Sequence, residues 1–446
     1  MEIISPRREE HLDTLSDVFA RSFSDYWAQF EYAKAGYFAE SPYDWEASRV
    51  GVADGRVVTH FGVWDFRMRV GRAVVRLAGI GAVATLKTHR GRGLMAGTAD
   101  DCVRGMDAAG YDVSLLFGIP GFYHRFGYVS AFGQVRTVLR TRDVVPADGP
   151  IEYALYEGPP EELAELYNRE NESVTGTYVR PTYRINRMPA RFTIYRFDGG
   201  YVVGGSDGAT YQVADCAGDP ATIVEIARQR ARADVCPEVE FVFAPPRSRI
   251  GEHLRTLTHR TISDRHRDGG PMMKIVNLAR TLEKIAPELT NRLAASPLSR
   301  YSGTLAIHGE TAALVRFSDG IVSEIARIDG AEAGADAGAD AATDAQGAGA
   351  IRAAGNADAA TDAQGAGAAG NANAATDANA AGNANAATGF DGRIAAGPDL
   401  VRLVVGDGDP HRVCRQAGIE LTGDARHLVP ILFPDQEPST ILWDRF

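Results

Sequence analysis

A basic turn with two glycines separates a strand-like run from a helix-like run of the sequence. The stretch Ala82-Val-Ala-Thr-Leu-Lys-Thr-His-Arg-Gly-Arg-Gly-Leu-Met95 begins with a β-type pattern and continues into apolar residues at helical spacing. The first backbone N–H groups of a helix have no partner within it and lie at the positive end of its dipole. Gly91 and Gly93 let that backbone approach a phosphate closely, and Arg90 and Arg92 add positive charge. The pattern predicts either a pyrophosphate cradle or a basic loop that caps an ordinary helix.

A second stretch places aromatic residues after a short buried strand. The run Val113-Ser-Leu-Leu-Phe117 is typical of such a strand, and Gly121-Phe-Tyr-His-Arg-Phe-Gly-Tyr128 follows it. A phenol has a reference pKa of about 10, so Tyr123 is protonated at neutral pH and can donate a proton. Taken alone, Tyr123 would be interpreted as a packing residue. At the other end of the sequence, apolar residues directly before Phe446 favour docking over fraying.

These motifs resemble those of known acetyltransferases. The run Arg90-Gly-Arg-Gly93 after Val83-Ala-Thr85 is similar to the acetyl-CoA motif of the GNAT-type N-acetyltransferases, and Gly121–Tyr128 is similar to the second signature of that fold. More narrowly, Thr88–Leu94, the aromatic motif and a chain ending in phenylalanine resemble the Eis (enhanced intracellular survival) acetyltransferases. That family has an N-terminal acetyltransferase domain, a degenerate second one and a sterol-carrier-like third one.

The resemblance implies cofactor-binding roles at the matching positions. Backbone groups of Val83, Ala84 and Thr85 would pair with the pantetheine arm of acetyl-CoA like an added strand, and Gly118 and Ile119 would line its thiol end. The pyrophosphate would be held by the turn and the start of the helix, that is by Arg90, Gly91, Arg92, Gly93, Leu94, Met95 and Ala96.

The resemblance also implies a catalytic pair. Tyr123 would be the general acid and the α-carboxylate of Phe446 the general base. Three departures from the family stand out: Lys87 occupies a place where relatives often have proline, Gly118 one where a hydroxyl residue is common, and Arg445 one where an acidic neighbour would attract a cationic substrate. Polyamine substrates are therefore not carried over.

The remaining pattern predicts an α/β (α+β) protein of three domains. The resemblance implies that they are a GNAT-type acetyltransferase domain at residues 1–145, a degenerate GNAT-like domain at 146–270 and a sterol-carrier-like domain at 271–446. The middle part has no Arg-x-x-Gly after any strand, as expected if it has lost cofactor binding. Residues 331–389 are almost entirely Ala, Gly, Asp, Asn and Thr, which predicts a disordered insertion; strand-like sequence resumes at Leu400-Val-Arg-Leu-Val-Val405.

The amino-acid composition excludes several classes of binding partner. Of the 446 residues 58 are acidic and 47 basic, so the net charge is −11 and nucleic acid is not expected to bind. No apolar run reaches the ~18–20 residues of a membrane span, the start lacks the apolar core of a signal peptide, and the four cysteines lack metal-ligand spacing. We expect a cytoplasmic protein without a bound metal or a membrane partner. The family resemblance implies a homo-oligomer, a hexamer.

The predicted function is acetyl-CoA-dependent acetylation of a small-molecule or peptide amine by direct transfer. The alternative is a non-catalytic binding protein whose sterol-carrier-like domain holds an apolar ligand. Four residues are candidates for either an amine pocket or the core, namely Asp25, Tyr26, Trp27 and Trp64.

Overall fold

The strands in the described part of the chain form three sheets. A computed structural model describes residues 1–22, 30–181, 191–328 and 390–440. The sheets contain seven, seven and five strands. Three sets of predictions lie outside the described residues: those on Asp25, Tyr26 and Trp27, on the insertion at 331–389, and on Arg445 and Phe446.

The first sheet has the strand order β1-β2-β3-β4-β5-β14-β6. Its strands are β1 Glu2–Ile4, β2 Arg49–Ala53, β3 Arg56–Val70, β4 Ala73–Thr85, β5 Val113–Gly118, β6 Val129–Ser130 and β14 Gly270–Ile275. The predicted hairpins at Asp54-Gly55 and Gly71 join β2 to β3 and β3 to β4. Strands β4 and β5 are parallel, because helix α2, Leu94–Ala108, crosses over between them.

Helices cover both faces of this sheet. Helix α1, Arg8–Ser22, and helix α6, Leu278–Ala294, pack their apolar side chains against β3 and β4 on one face. Helix α2 buries Ala99, Cys102 and Met106 against the other. The sheet is therefore enclosed around the point where β4 and β5 meet.

The second sheet repeats this arrangement. Its order is β13-β7-β12-β11-β10-β9-β8, and its strands are β7 Gln134–Arg140, β8 Tyr153–Leu155, β9 Thr193–Phe197, β10 Gly200–Ser206, β11 Thr210–Ala217, β12 Glu238–Phe241 and β13 Arg260–Asp264. Strands β11 and β12 are the parallel pair, joined by helix α4, Pro220–Ala233. Its described residues also form two short helices, α3 Ala164–Glu170 and α5 Arg249–Arg255. The chain thus contains two GNAT-like units in tandem.

The third sheet has the order β17-β16-β15-β18-β19. Its strands are β15 Gly303–His308, β16 Ala312–Ser318, β17 Ile321–Ile328, β18 Gly392–Ala395 and β19 Glu420–Gly423, and its helices are α7 Leu400–Val404, α8 Pro410–Ala417 and α9 Ala425–Leu432. One continuous core joins this sheet to the first, with the apolar face of α6 between them. None of the helices in the described part of the chain combines the length and the apolar character that a bilayer-spanning helix needs.

One predicted strand is wrong. The run from Leu400 forms helix α7 instead, with Leu400, Val401, Leu403 and Val404 buried. This spacing of one, three and four residues is helical, and packing on that face outweighs the β preference of valine.

The sheets also divide the chain at points other than the predicted domain bounds. Strand β7 falls within the predicted first domain, which ends at residue 145, yet it lies in the second sheet. Strand β14 falls almost wholly within the predicted third domain, which begins after residue 270, yet it lies in the first sheet. Both departures arise from pairing between segments that are distant in sequence.

Candidate active site

A cavity of about 800 Å³ opens where β4 and β5 part. The two strands pair from Leu77 with Val113 to Ile80 with Leu116, and no further. Beyond Ile80 the edge of β4 that faces the cavity has no partner strand among the described residues. Such an open edge can pair with an extended ligand that carries amide groups.

The cavity brings together nearly all of the predicted cofactor-binding residues. Its lining includes Val83, Ala84, Thr85, Arg90, Gly91, Arg92, Gly93, Leu94, Met95, Ala96 and Ile119, as well as Tyr123. Gly118 is the exception. It pairs with Gly270 in the sheet, and a Cβ there would stand 2.6 Å from Met272 Sδ and 2.9 Å from Tyr123 Cδ2. Gly118 therefore makes room for these two side chains.

The turn before α2 has the geometry of an anion cradle. Gly91 and Gly93 have φ angles of +74° and +71°, which side chains disfavour, and a Cβ on either would meet nothing within 4 Å. Gly93 is the N-cap of α2 and supplies no side-chain cap to the N–H groups of the first turn. An anion can therefore approach the unpaired N–H groups of a 15-residue helix.

The two arginines of the turn have different surroundings. Arg90 donates from Nε to Thr85 O at 3.0 Å, so part of its guanidinium holds the turn against the end of β4. Arg92 is exposed at the cavity wall. Arg90 can thus serve the shape of the cradle as well as its charge.

The second GNAT-like unit lacks such a cradle. Helix α4 begins after a short turn, and its N-cap Asp219 accepts a hydrogen bond from Thr222 N at 2.8 Å. The carboxylate occupies the place that an anion would take and repels a phosphate. This contrast gives a physical reason for the predicted loss of cofactor binding in the middle part.

Tyr123 lies at the start of a one-turn 3-10 helix beside the same cavity. Only 9% of its surface is exposed, and its ring contacts those of Phe122 and Tyr128 at centroid distances of 4.9 and 6.4 Å. Burial raises the pKa of Tyr123 to about 12. Its hydroxyl makes no hydrogen bond within the described chain, which leaves it available to a ligand.

The turn that carries Tyr123 is held by Asp268, which lies in the loop between β13 and β14. Asp268 accepts a hydrogen bond from Gly121 N at 2.6 Å through Oδ2, and its Oδ1 lies 2.6 Å from His124 Nε2. His124 Nδ1 in turn lies 3.0 Å from Tyr128 O. This clamp orients the turn.

Several lining residues were missed in the sequence. Arg125 and Phe126 stand inside the aromatic motif and could have been read from it. Phe19, Ser22 and Tyr37 enter from α1 and a π-helical segment at Ala33–Ala39, and no sequence signal marks them. Trp64 packs behind Tyr37 at a centroid distance of 4.6 Å and is fully buried, so it belongs to the core.

Comparison with protein families settles the class of the first unit. The family described as "Acetyltransferase (GNAT) domain" matches residues 4–131. The N-terminal part of the chain is a GNAT acetyltransferase domain. GNAT domains use acetyl-CoA, and the protein is accordingly an enzyme of the acetyltransferase class.

Solved structures show the same fold over the whole chain. A GCN5-related N-acetyltransferase from Kribbella flavida is 17% identical, with a TM-score of 0.65, and the match covers 100% of this chain and 98% of that one. A GCN5-related N-acetyltransferase from Anabaena variabilis ATCC 29413 is 15% identical, with a TM-score of 0.65 and 99% of each chain covered. Eis1 from Mycobacterium abscessus is 17% identical, with a TM-score of 0.62 and 99% of each chain covered. No curated protein matches the sequence.

Proposed function

We propose that the protein transfers the acetyl group of acetyl-CoA directly to a primary amine. One observation carries the proposal: the uncapped start of α2, the open edge of β4 and the hydroxyl-bearing Tyr123 all line a single cavity. The pyrophosphate would bind the first turn of α2, and the pantetheine arm would extend along Val83–Thr85 toward Tyr123. A binding protein with a vestigial first domain would have no need for this combination.

The reaction needs one proton donor and one proton acceptor. The amine nitrogen attacks the acetyl carbonyl, the C–S bond then breaks, and the amide keeps the acetyl group. Tyr123 donates its phenolic proton to the departing thiolate, and the α-carboxylate of Phe446 accepts the proton that the amine loses. Correct positioning of such groups contributes several kcal/mol to lowering the barrier.

Burial affects both the proton donor, Tyr123, and the proton acceptor, the departing thiolate. It raises the pKa of Tyr123 to about 12, which keeps the phenol protonated at neutral pH. The same desolvation disfavours a thiolate in the cavity and so strengthens it as a proton acceptor. Burial thereby raises both the pKa of the proton donor, Tyr123, and the proton affinity of the acceptor, the thiolate.

The base is proposed from the family resemblance alone. One appended glycine after Phe446 keeps a terminal carboxylate but moves it by about 3.5 Å. We expect this variant to bind coenzyme A normally and to lose most of its turnover. Full activity would show that the base lies elsewhere.

The proposed activity is tested by release of free thiol from acetyl-CoA against a panel of primary amines. The panel holds aliphatic, aromatic and polycationic amines and a peptide with a free amino terminus. We expect release to depend on the amine and the acetylated product to appear in equal amount. No amine-dependent release across the panel, with coenzyme A bound, would favour the binding-protein alternative.

The finer resemblance is part of the same proposal. We propose an Eis-like enzyme with a sterol-carrier-like third domain, located in the cytoplasm and assembled as a homo-oligomer. The end-to-end match to Eis1 supports the shared order of domains. Light scattering on the purified protein measures the oligomer: a monomer would contradict the assembly and leave the chemistry standing.

A further inference from the structure

Strand β4 contains a residue in a conformation that strands avoid. Ala82 has a φ angle of +49°. At this point β3 pairs His60 with Ala84 and Gly62 with Gly81, so two residues of β4 oppose one of β3. Ala82 therefore lies in a β-bulge, and its left-handed backbone is disfavoured for any residue other than glycine.

A buried histidine contacts the bulge. His60 is 2% exposed, and its Nδ1 lies 2.9 Å from Ala82 O. Its Nε2 lies 2.8 Å from the hydroxyl of Tyr43, which is itself buried. A carbonyl oxygen can only accept, so Nδ1 carries the proton and donates to Ala82, while Nε2 accepts from Tyr43.

The surroundings keep this arrangement fixed. Burial lowers the pKa of His60 to about 4, so the ring is neutral in the physiological range. Burial also raises the pKa of Tyr43, so its hydroxyl remains a donor. The chain Tyr43–His60–Ala82 therefore holds a single set of donors and acceptors.

The bulge decides which backbone groups face the cavity. Successive residues of a strand point their N–H and C=O groups to alternate edges of the strand. One extra residue therefore reverses, for every residue after it, the edge to which these groups point. Val83, Ala84 and Thr85 follow directly and line the cavity on the unpaired edge.

We propose that His60, oriented by Tyr43, is a positioning residue that holds the Ala82 bulge and thereby sets the register in which β4 presents its backbone to the pantetheine arm of acetyl-CoA. The inference rests on the proposed function, which assigns that edge of β4 to the cofactor. His60 touches neither acetyl-CoA nor the amine in this scheme. Its effect falls on cofactor affinity and leaves the proton transfers alone.

Substitutions at His60 and Ala82 test the role together. His60→Phe keeps an aromatic ring and removes the donor, whereas His60→Asn keeps an N–H close to the position of Nδ1. We expect His60→Phe to weaken calorimetric binding of coenzyme A by roughly ten- to a hundredfold, because a buried carbonyl loses its donor. We expect His60→Asn to retain most of the affinity.

The kinetic constants and a second substitution separate positioning from general damage. In His60→Phe the KM for acetyl-CoA should rise with the affinity loss, while kcat and the KM for the amine change by less than about threefold. Adding Ala82→Gly should recover part of the affinity, since glycine adopts the left-handed conformation without the histidine bond. His308→Phe, on β15 of the third sheet, is the matched control and should bind coenzyme A as the wild type does.

Each result decides the matter. A folded His60→Phe with wild-type affinity, or equal losses in His60→Phe and His60→Asn, would overturn the inference. If His60→Phe does not fold, Tyr43→Phe removes one hydroxyl and gives the same test: weaker binding supports the role and unchanged binding overturns it. Wild-type protein that binds no coenzyme A would instead overturn the proposed function.

Discussion

Gly93 combines two properties that no other residue type offers at its position. Its φ of +71° lies in the left-handed region, and the space where a side chain would stand is open to the cavity. The first property shapes the turn, and the second lets an anion reach the helix N–H groups. A side chain at this position would therefore damage both the fold of the turn and the access to it.

We expect Gly93→Val to abolish measurable binding of coenzyme A, because the valine side chain would project where the pyrophosphate must lie. Gly55→Val is the matched control: it has a φ of +73°, open space around it, and a place in the hairpin between β2 and β3. The two variants should lose similar stability, about 1 kcal/mol or more. Titration calorimetry should then show normal affinity for coenzyme A in Gly55→Val only. Normal affinity in both variants would show that the turn before α2 does not bind the pyrophosphate.

We expect Tyr123→Phe to bind coenzyme A normally and to lose turnover by about 10²–10⁴-fold, the usual contribution of a general acid. Tyr128→Phe is a close control, since Tyr128 is also buried and its hydroxyl lies 2.7 Å from Ser114 Oγ. It does not line the cavity, so its loss of one hydroxyl should leave kcat within a few-fold of wild type. Equal activity in the two variants would assign the acid elsewhere.

His60 predicts how stability depends on pH. Its pKa falls from about 6.5 in the unfolded chain to about 4 in the folded one. Between these values the unfolded chain binds a proton that the folded chain does not, so the free energy of unfolding falls as the pH falls through this window. Above pH 6.5 the contribution is constant.

Denaturant unfolding at pH 7 and pH 5 measures this contribution. His60→Asn has no imidazole, so it should lose about 2 kcal/mol less stability than the wild type between these two pH values. The same pH dependence in both proteins would mean that other groups dominate in this range.

At the scale of elements, local signals were readable in the sequence and long-range pairing was not. The turn at Arg90–Gly93 was predictable because its glycines and the following helix are consecutive. The contact between His60 and Ala82 was not, since it depends on strand register and on a bulge. Strand β14 joins the first sheet across more than a hundred residues from β5, and nothing in its own sequence records that partner. The helix at Leu400–Val404 was misassigned because valine-rich runs favour strands until packing decides otherwise.

The Asp268 clamp predicts an effect on the turn that carries Tyr123. We expect Asp268→Ala to lower kcat about tenfold or more with little change in affinity for coenzyme A, because Gly121 N loses its acceptor while the cradle is untouched. Asp264→Ala is the control, since Asp264 lies on β13 and the substitution breaks only its exposed pair with Arg136 on β7. Matching effects in the two variants would point to a general loss of stability. Unchanged kcat in Asp268→Ala would show that the clamp is not needed.

At the scale of the whole molecule, the third sheet is built into the enzyme through α6. This helix places Leu282, Ile285 and Leu289 in a core shared by the first and third sheets. Arg280 at its start donates from Nε to the buried Asp112 Oδ1 at 3.0 Å, next to β5. Removal of the third part together with α6 would therefore expose the face of the first sheet that α6 covers. Removal of only the segment between β17 and β18 leaves α6 in place and need not expose that face.

We expect replacement of residues 329–389 by a flexible Gly/Ser linker to leave turnover and melting temperature nearly unchanged. Strands β17 and β18 are parallel and separated by β16 and β15, and Ile328 at the end of β17 is level with Ala395 at the end of β18. The linker must therefore cross three strand spacings, about 14 Å, and run back about 10 Å along the strand direction to Gly392, and about 12 residues reach that far. The shorter loop should favour the folded state by about 1 kcal/mol, since the entropy of closure grows with the logarithm of length. The Ala-, Gly-, Asp- and Asn-rich composition supplies little apolar surface to replace.

Thiol release and thermal melting check both expectations, and a chain of full length with the order of 329–389 scrambled separates length from sequence. A large loss in the linker variant that the scrambled chain shares would mean that the segment docks on the folded part through its specific sequence.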